Sequence, residues 1–279
     1  MDNASGSTAT GTQAVARAAA LLKLVSLRDA ATDGAATRTS DLARRSGLTR
    51  PTTYRLLSAL RDEGLVDQDA ATRAWVAGPE LYLMGMAAAP RYDVVEIARD
   101  IVRSLAVRTE ESAFLSVRRG DETVCVLRED GSFPIRSFVL SEGVRFPLGV
   151  ASAGLAILSF LPPHDVDAYF ARHPELPERW GVAHAESRIR DRIEETTSRG
   201  FALNAGLIVE GSYGLGAAVF SGAGEPQWAL SLTGVQFRFS PARMPELGRT
   251  LLAHAHQLSQ RLANARRDVN PLERARAAR

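Results

Sequence analysis

Residues 38–61, RTSDLARRSGLTRPTTYRLLSALR, break into two short helical patterns on either side of one glycine, which leaves no room for a strand or a long helix. Ser40 can cap the first, DLARRS, and Gly47 ends it. Thr49 can cap the second, with Pro51 in its first turn, where a missing backbone N–H costs little. Leu56, Leu57 and Leu60 mark the buried side, and Thr53 turns inward with them. Thr52 and Arg55 share the outer side, and Arg50 stands at the entry. After Gly64 the extended pieces LVDQD and RAWVAG flank the polar turn AAT, as in a hairpin. Upstream, Val15, Ala18, Ala19, Leu22 and Val25 repeat at the spacing of one helix face over about 12–28. Residues 12–77 therefore read as three helices and a hairpin.

Charge is concentrated in the same stretch. The whole chain carries +2, from 34 basic against 32 acidic residues, yet residues 38–61 hold six arginines and one acid, Asp41. A local charge of +5 is the footprint of a phosphate-facing surface. A short helix, a glycine turn and a capped second helix is also the layout that sets a recognition helix in the major groove. Arg50, Thr52 and Arg55 are the candidates for base edges and flanking phosphates, and Arg73 in the hairpin is placed to reach the neighbouring groove or backbone. Arg44, Arg45 and Tyr54 complete the candidate set. Only Lys23 among the basic residues is a lysine, and the planar fork of arginine suits phosphate and guanine edges. The competing reading is a solvated face on a protein-interaction module. Cap, glycine turn, charge and hairpin together favour DNA.

At 279 residues the chain is long enough for two domains of unequal size. Gly78 and Pro79 form a joint, and ELYLMGMAAA reads as a linker helix over 78–91. Residues 92–265 mix helices with strands, as in an α+β domain. The expected strands are SAFLSVRRG, DETVCVLRED, RSFVLSEG, the stretch FALNAGLIVEGSYGLGAAVF, and PQWALSLTGV after a turn at Gly222–Glu225. The expected helices are DVVEIARDIVRSLAVRT, a segment beginning near Gly154, AESRIRDRIEETTSRG and a closing MPELGRTLLAHAHQLSQRLANA. Residues 1–11 and 266–279 read as tails, the second of them basic.

Several functions are disfavoured. The longest mostly apolar run, LGVASAGLAILSFL, is too short to span a bilayer, and the opening lacks a basic leader and apolar core. A lone Cys125 in an alternating strand permits no internal disulfide and reads as a small buried hydrophobe, which fits a reducing cytoplasm. Ser152 in VASAG and Ser212 in EGSYG each lack the first glycine of a nucleophile elbow. Gly211, Gly214 and Gly216 have the wrong spacing for a dinucleotide fingerprint and instead suggest backbone lying close to a ligand or a strand. His254 and His256 fall on different helix faces, and Glu194 and Glu195 belong to a solvated mixed-charge helix. With no cysteine pair and no HExxH, neither a metal, a cofactor nor a catalytic constellation is expected.

Five blocks in order, VARAAALLKLVSL, SDLARRSGLTRPTTYRLLSALRDEGLV, FPLGVASAGLAIL, GFALNAGLIVEGSYGLGAAVF, and ALSLTG with FSPARMPEL, make the chain resemble the IclR family of bacterial transcriptional regulators over about 12–264. The resemblance implies an N-terminal winged helix-turn-helix, a linker helix and a C-terminal GAF-like effector-binding domain, assembled as a homodimer or dimer of dimers on operator DNA. It implies an effector pocket lined by Ser152, Ala153, Asn204, Gly214, Ser231 and Thr233, holding a small organic or aromatic acid. The chain departs from the family's pattern at Gly149 and Leu155, where His and Lys are frequent, at Asn204, which is acidic in some relatives, and at Pro51 and Tyr54 in the recognition helix. Whether such a regulator represses or activates depends on where its operator lies relative to the promoter.

Overall fold

The computed structural model describes residues 6–26, 37–88 and 94–269, and the chain divides into two compact units, one ending at Asp93 and one beginning at Val94. In the first unit, helices α1 (Gly6–Ser26), α2 (Thr39–Ser46) and α3 (Arg50–Asp62) precede strands β1 (Val66–Gln68) and β2 (Trp75–Ala77) and helix α4 (Pro79–Ala88). Leu21, Leu42, Leu57 and Trp75 are buried at the centre of this unit. Thr53 is fully buried with them and donates its hydroxyl to the Thr49 carbonyl at 3.0 Å.

Local chemistry sets the helix ends. Thr49 caps α3, its Oγ1 accepting from the Thr52 N–H at 3.4 Å. Gly47 takes a φ of +68°, the left-handed conformation that suits glycine, and closes α2. Ser40 does not cap α2. Extended Arg38 holds that position, and its carbonyl accepts from the N–H groups of Asp41 and Leu42 at 3.0 Å each. Helix α1 starts at Gly6, upstream of the expected 12, and residues 1–5 lie outside the described residues.

The hairpin turn is wider than AAT. Asp69 accepts from the N–H groups of Ala71 and Thr72, and Arg73 adopts a φ of +60°. Trp75 ties the hairpin to the start of α2: its backbone N–H donates to the Thr37 carbonyl at 3.0 Å and its indole N–H to Thr39 Oγ1 at 2.9 Å.

The second unit runs α5 (Val94–Thr109), β3 (Ser112–Arg119), β4 (Glu122–Glu129), β5 (Arg145–Pro147), α6 (Ser152–Leu158), α7 (Pro163–Arg172), α8 (Leu176–Trp180), α9 (Glu186–Arg199), β6 (Ala202–Ala205), β7 (Ser212–Phe220), β8 (Pro226–Val235) and α10 (Met244–Val269). Its strands form one antiparallel sheet in the order β5-β4-β3-β8-β7-β6. Strand alternation divides the core between the two faces. Leu115, Val117, Leu215, Leu230 and Leu232 pack with α5 and α10, while Phe114, Cys125 and Ala229 pack on the face that carries α6 to α9. Ser231 and Thr233, in step with Ala229, belong to the second face.

Two expectations for this unit need correction. Residues 136–143 form a loop and not a strand, and the short β5 takes the edge place beside β4. In the loop Ser137 and Leu140 are buried three apart while Phe138 is exposed, a spacing that no strand can deliver. The segment between α6 and α9, left unassigned by periodicity, holds α7 and α8, with Pro163 in the first turn of α7. The expected basic tail lies largely outside the described residues, since α10 continues to Val269.

Two ionic ties hold the unit's connections. Glu111, at the junction of α5 and β3, is 2 % exposed and accepts from Arg238 Nε at 2.8 Å and from Arg243 Nη1 at 2.5 Å. Arg243 also donates to the Thr109 carbonyl, so α5 is joined to the connection between β8 and α10.

Asp121, in the turn between β3 and β4, accepts from Arg172 at 2.8 and 2.9 Å and meets His173 Nε2 at 2.9 Å. The Arg172 guanidinium holds its carboxyl below the usual carboxylate range. Such a group stabilises the fold above its unfolded pKa, and that contribution is lost as pH falls through the lowered folded value. Asp121→Asn should therefore be less stable than the parent at neutral pH, and the gap should narrow below about pH 4. Urea unfolding at both pH values measures it.

Candidate functional site

The N-terminal unit presents a basic concavity built by three elements. Arg38, Thr39 and Ser40 at the start of α2, Arg50, Pro51 and Tyr54 on α3, and Gln68 and Arg73 of the hairpin surround a volume of about 590 Å³. Chain geometry explains the convergence. Trp75 draws the hairpin onto Thr37 and Thr39, and the Tyr54 ring packs edge-on against Trp75 with centroids 6.3 Å apart. Arg73, at positive φ, accepts the Gln68 side-chain N–H at its carbonyl at 3.1 Å, leaving its exposed side chain at the rim.

The candidate residues divide between this concavity and the surface around it. Arg50, Tyr54 and Arg73 line it. Arg55 is exposed elsewhere on α3, and Arg44 and Arg45 are exposed near the end of α2, where Arg44 pairs with Asp41 at 3.1 Å. Thr52 is only half-buried, yet its hydroxyl is engaged, accepting from Thr49 Oγ1 at 2.9 Å. Arg38 and Gln68 were not among the candidates. Along the chain Arg38 shows only as charge, and no spacing indicates that it meets Arg50 and Arg73.

In the second unit Ser152, Ala153, Asn204, Gly214, Ser231 and Thr233 line one cavity, between the sheet face and the first turn of α6. Its volume, measured to the centre of a water molecule, is about 30 Å³, room for very little beyond water. The loop from Val139 to Val144, with Phe146, closes its other side, and Cys125 forms part of the wall. Burial pushes the Cys125 thiol up to about 12 and keeps it neutral.

Glycine makes the close packing possible. A Cβ on Gly216 would overlap the Ser152 carbonyl, so only glycine there lets the first turn of α6 lie against β7. Gly214 faces the Ser152 hydroxyl.

The polar side chains in the cavity differ in their commitments. Asn204 is tied to the scaffold on both sides: its Nδ2 donates to the Val150 carbonyl at 2.9 Å and its Oδ1 accepts from the Leu207 N–H at 3.0 Å. Ser212 meets Ser137 at 2.6 Å, which fastens the closing loop to β7. Ser231 and Thr233 are different: both hydroxyl oxygens are buried and, among the described residues, neither has a protein hydrogen-bond partner. A buried hydroxyl without a partner is costly, and two of them share one wall of this cavity.

Comparison with known proteins agrees with both units. Residues 14–70 match the IclR helix-turn-helix domain, and residues 86–260 match the bacterial transcriptional regulator IclR C-terminal domain. The HTH-type transcriptional regulator Rv1719 of Mycobacterium tuberculosis is 30% identical over 248 residues, covering 87% of this chain and 90% of that protein. Among solved structures, an IclR transcriptional regulator from Alicyclobacillus acidocaldarius superposes with a TM-score of 0.73 at 22% identity, covering 90% of this chain and 98% of the other. An IclR homolog from Microbacterium hydrocarbonoxydans, solved in complex with 4-hydroxybenzoate, has a TM-score of 0.68 at 19% identity, covering 89% and 98%. With a helix-turn-helix unit at its N-terminus and a sheet-and-helix unit matching the effector-binding domain at its C-terminus, the chain belongs to the IclR family of bacterial transcriptional regulators.

Proposed function

We propose that α3 enters the major groove of an operator, with Arg55 on its outer side reading base edges, while Arg50 and Arg73 hold flanking phosphates. Arg44, Arg45, Thr52 and Tyr54 border the same contact, and Arg38 joins Arg50 and Arg73. The observation that carries this reading is the concavity in which Arg38, Arg50 and Arg73, distant in sequence, converge beside α3. Three guanidinium groups around one opening suit a phosphate backbone.

The cavity of the second unit is the effector site in this reading, with Ser231 and Thr233 as its recognising groups and Asn204 as a positioning residue. The neighbour that holds 4-hydroxybenzoate supports a small organic ligand of aromatic size. At about 30 Å³ the cavity must widen to admit one, so effector binding is coupled to movement of its walls. The chain acts by binding and not by turnover, as its regulator relatives do. It assembles as a homodimer or a dimer of dimers, and α4, which leaves Tyr82, Leu83, Met84 and Met86 more than half exposed, offers an apolar face for that assembly. Among the described residues no helix is long and apolar enough to cross a membrane, which supports a place in the cytoplasm beside DNA.

Fluorescence anisotropy on DNA from upstream of its own gene tests the first part. Affinity should fall steeply with salt, and Arg50→Ala should reduce the slope of log affinity against log salt by about 1. Arg55→Ala should cost about 1–3 kcal/mol and relax sequence preference, with oligomer size unchanged. Binding that ignores both salt and sequence would overturn the reading.

A further inference from the structure

We propose that Thr39 contacts the DNA backbone directly, its hydroxyl donating to the phosphate that Arg38, Arg50 and Arg73 surround, and that the buried indole of Trp75 is the positioning group that aims it. This rests on the reading of the N-terminal concavity as the DNA-facing site, and adds to it an uncharged contact held from a second element.

Two threonines flank Arg38, and Trp75 uses both. At Thr37 its backbone N–H donates to the carbonyl at 3.0 Å and its own carbonyl accepts the hydroxyl, so the Thr37 proton is spent inside the fold. At Thr39 the direction is reversed: the indole N–H donates to Oγ1 at 2.9 Å. A hydroxyl has one proton to give and two lone pairs to receive with, so this bond occupies a lone pair and leaves the proton. Among the described residues no acceptor takes that proton.

A hydroxyl at a protein surface is ordinarily left to water. Thr39 differs in its setting. It lines the concavity with Arg38, Arg50 and Arg73, and that lining contains no Asp or Glu. Trp75 is 1% exposed and packs against the edge of Tyr54, so the donor that fixes Oγ1 is itself held. An N–H that feeds a hydroxyl also polarises it and strengthens the bond it donates in turn.

Phosphate is the acceptor this arrangement suits. Its oxygens take several donors at once, and the three guanidinium groups supply the countercharge. A contact to the backbone fixes where the unit sits on the duplex and adds the same affinity to every sequence. Being uncharged, it releases no counterion. Loss of Thr39 should therefore lower affinity without changing the salt slope, which separates it from loss of an arginine.

The test is fluorescence anisotropy of the full chain across a salt series, on DNA from upstream of its own gene and on a scrambled duplex of equal length. Thr39→Val should weaken binding about tenfold on both, as for one hydrogen bond to a charged group, with the salt slope unchanged. Thr39→Ser restores a hydroxyl and should recover most of the loss. Because Thr39→Val also strands the indole N–H, it is compared with Thr39→Val/Trp75→Phe, where neither partner is left unpaired; that variant should bind like Thr39→Val. Trp75→Phe alone keeps the hydroxyl without its aim and should lose an intermediate amount. A scan of methylphosphonates along the duplex needs no Trp75 variant to fold: at one phosphate Thr39→Val should lose less than the parent.

Thr39→Val that binds like the parent, or a scan with no such position, would overturn the contact. A loss accompanied by a lower salt slope would overturn it equally, since Thr39 would then only place the arginines. Trp75→Phe that adds a further loss on top of Thr39→Val would overturn the role of the indole. The DNA-facing reading fails separately, if Arg50→Ala leaves both affinity and slope unchanged.

Discussion

Glu111→Ala is expected to lower the melting temperature of the C-terminal unit by roughly 6–20 °C, from a loss of about 3–5 kcal/mol at about 2–4 °C per kcal/mol for a domain of this size. The carboxylate is 2 % exposed, and the two guanidinium groups it binds are themselves largely covered, at 18% and 25%. Removing it leaves Arg243 without a carboxylate, while Arg238 keeps only Glu110 at 2.7 Å, so two largely covered guanidinium groups face each other with one countercharge fewer, and breaking such a site costs more than the intact pair contributes. Glu111→Gln keeps a neutral acceptor for one arginine and should fall between. Scanning calorimetry on the full chain reads both, since the N-terminal unit supplies an internal reference. If Glu111→Ala melts with the parent, the tie between α5 and the start of α10 is not what holds this end of the sheet.

The second large effect is expected at Gly216. A methyl group there meets the Ser152 carbonyl, and because that atom is backbone it can give way only if the first turn of α6 moves off β7. Gly216→Ala should cost about 1–3 kcal/mol, the range for overpacking a tight site, and should abolish thermal shifts by any cavity ligand. Gly214→Ala is the control. Its new methyl would face the Ser152 hydroxyl at 3.1 Å, and a side chain can rotate away, so the loss should be smaller. Equal effects from the two variants would show that α6 is free to shift and that glycine at 216 has no steric purpose.

Features that act locally are the ones legible in the chain. Thr49, Gly47 and Pro51 act within a few residues of their own positions, so their roles in starting and stopping helices are visible locally. Ser40 misled for the same local reason: it has the chemistry of a cap, but Arg38 was already extended and its carbonyl opened the helix two residues earlier. Residues 136–143 misled because alternation alone says nothing about a neighbour, and the sheet edge beside β4 was taken by Arg145–Pro147.

The convergence of Arg38 with Arg50 and Arg73 depends on Trp75 docking against Thr37 and Thr39, a long-range event with no periodicity. The cavity residues are legible only through family resemblance. Strand alternation could place Ser231 and Thr233 on one face, but that both hydroxyls lack partners emerges only from the packed structure.

Asn204 carries a last consequence. Its amide presents a donor to Val150 and an acceptor to Leu207, and only a side chain with both can hold the small-residue loop and the turn after β6 together. A carboxylate at 204 would still receive the Leu207 N–H, but it would turn a second oxygen toward the Val150 carbonyl and repel it. Position 204 is thus a fork between two kinds of pocket: an amide builds a tethered loop and a wall without charge, while an acid frees the loop and brings a negative group to the ligand. The chemistry of this cavity wall is set partly by a residue whose two hydrogen bonds run to the protein's own backbone.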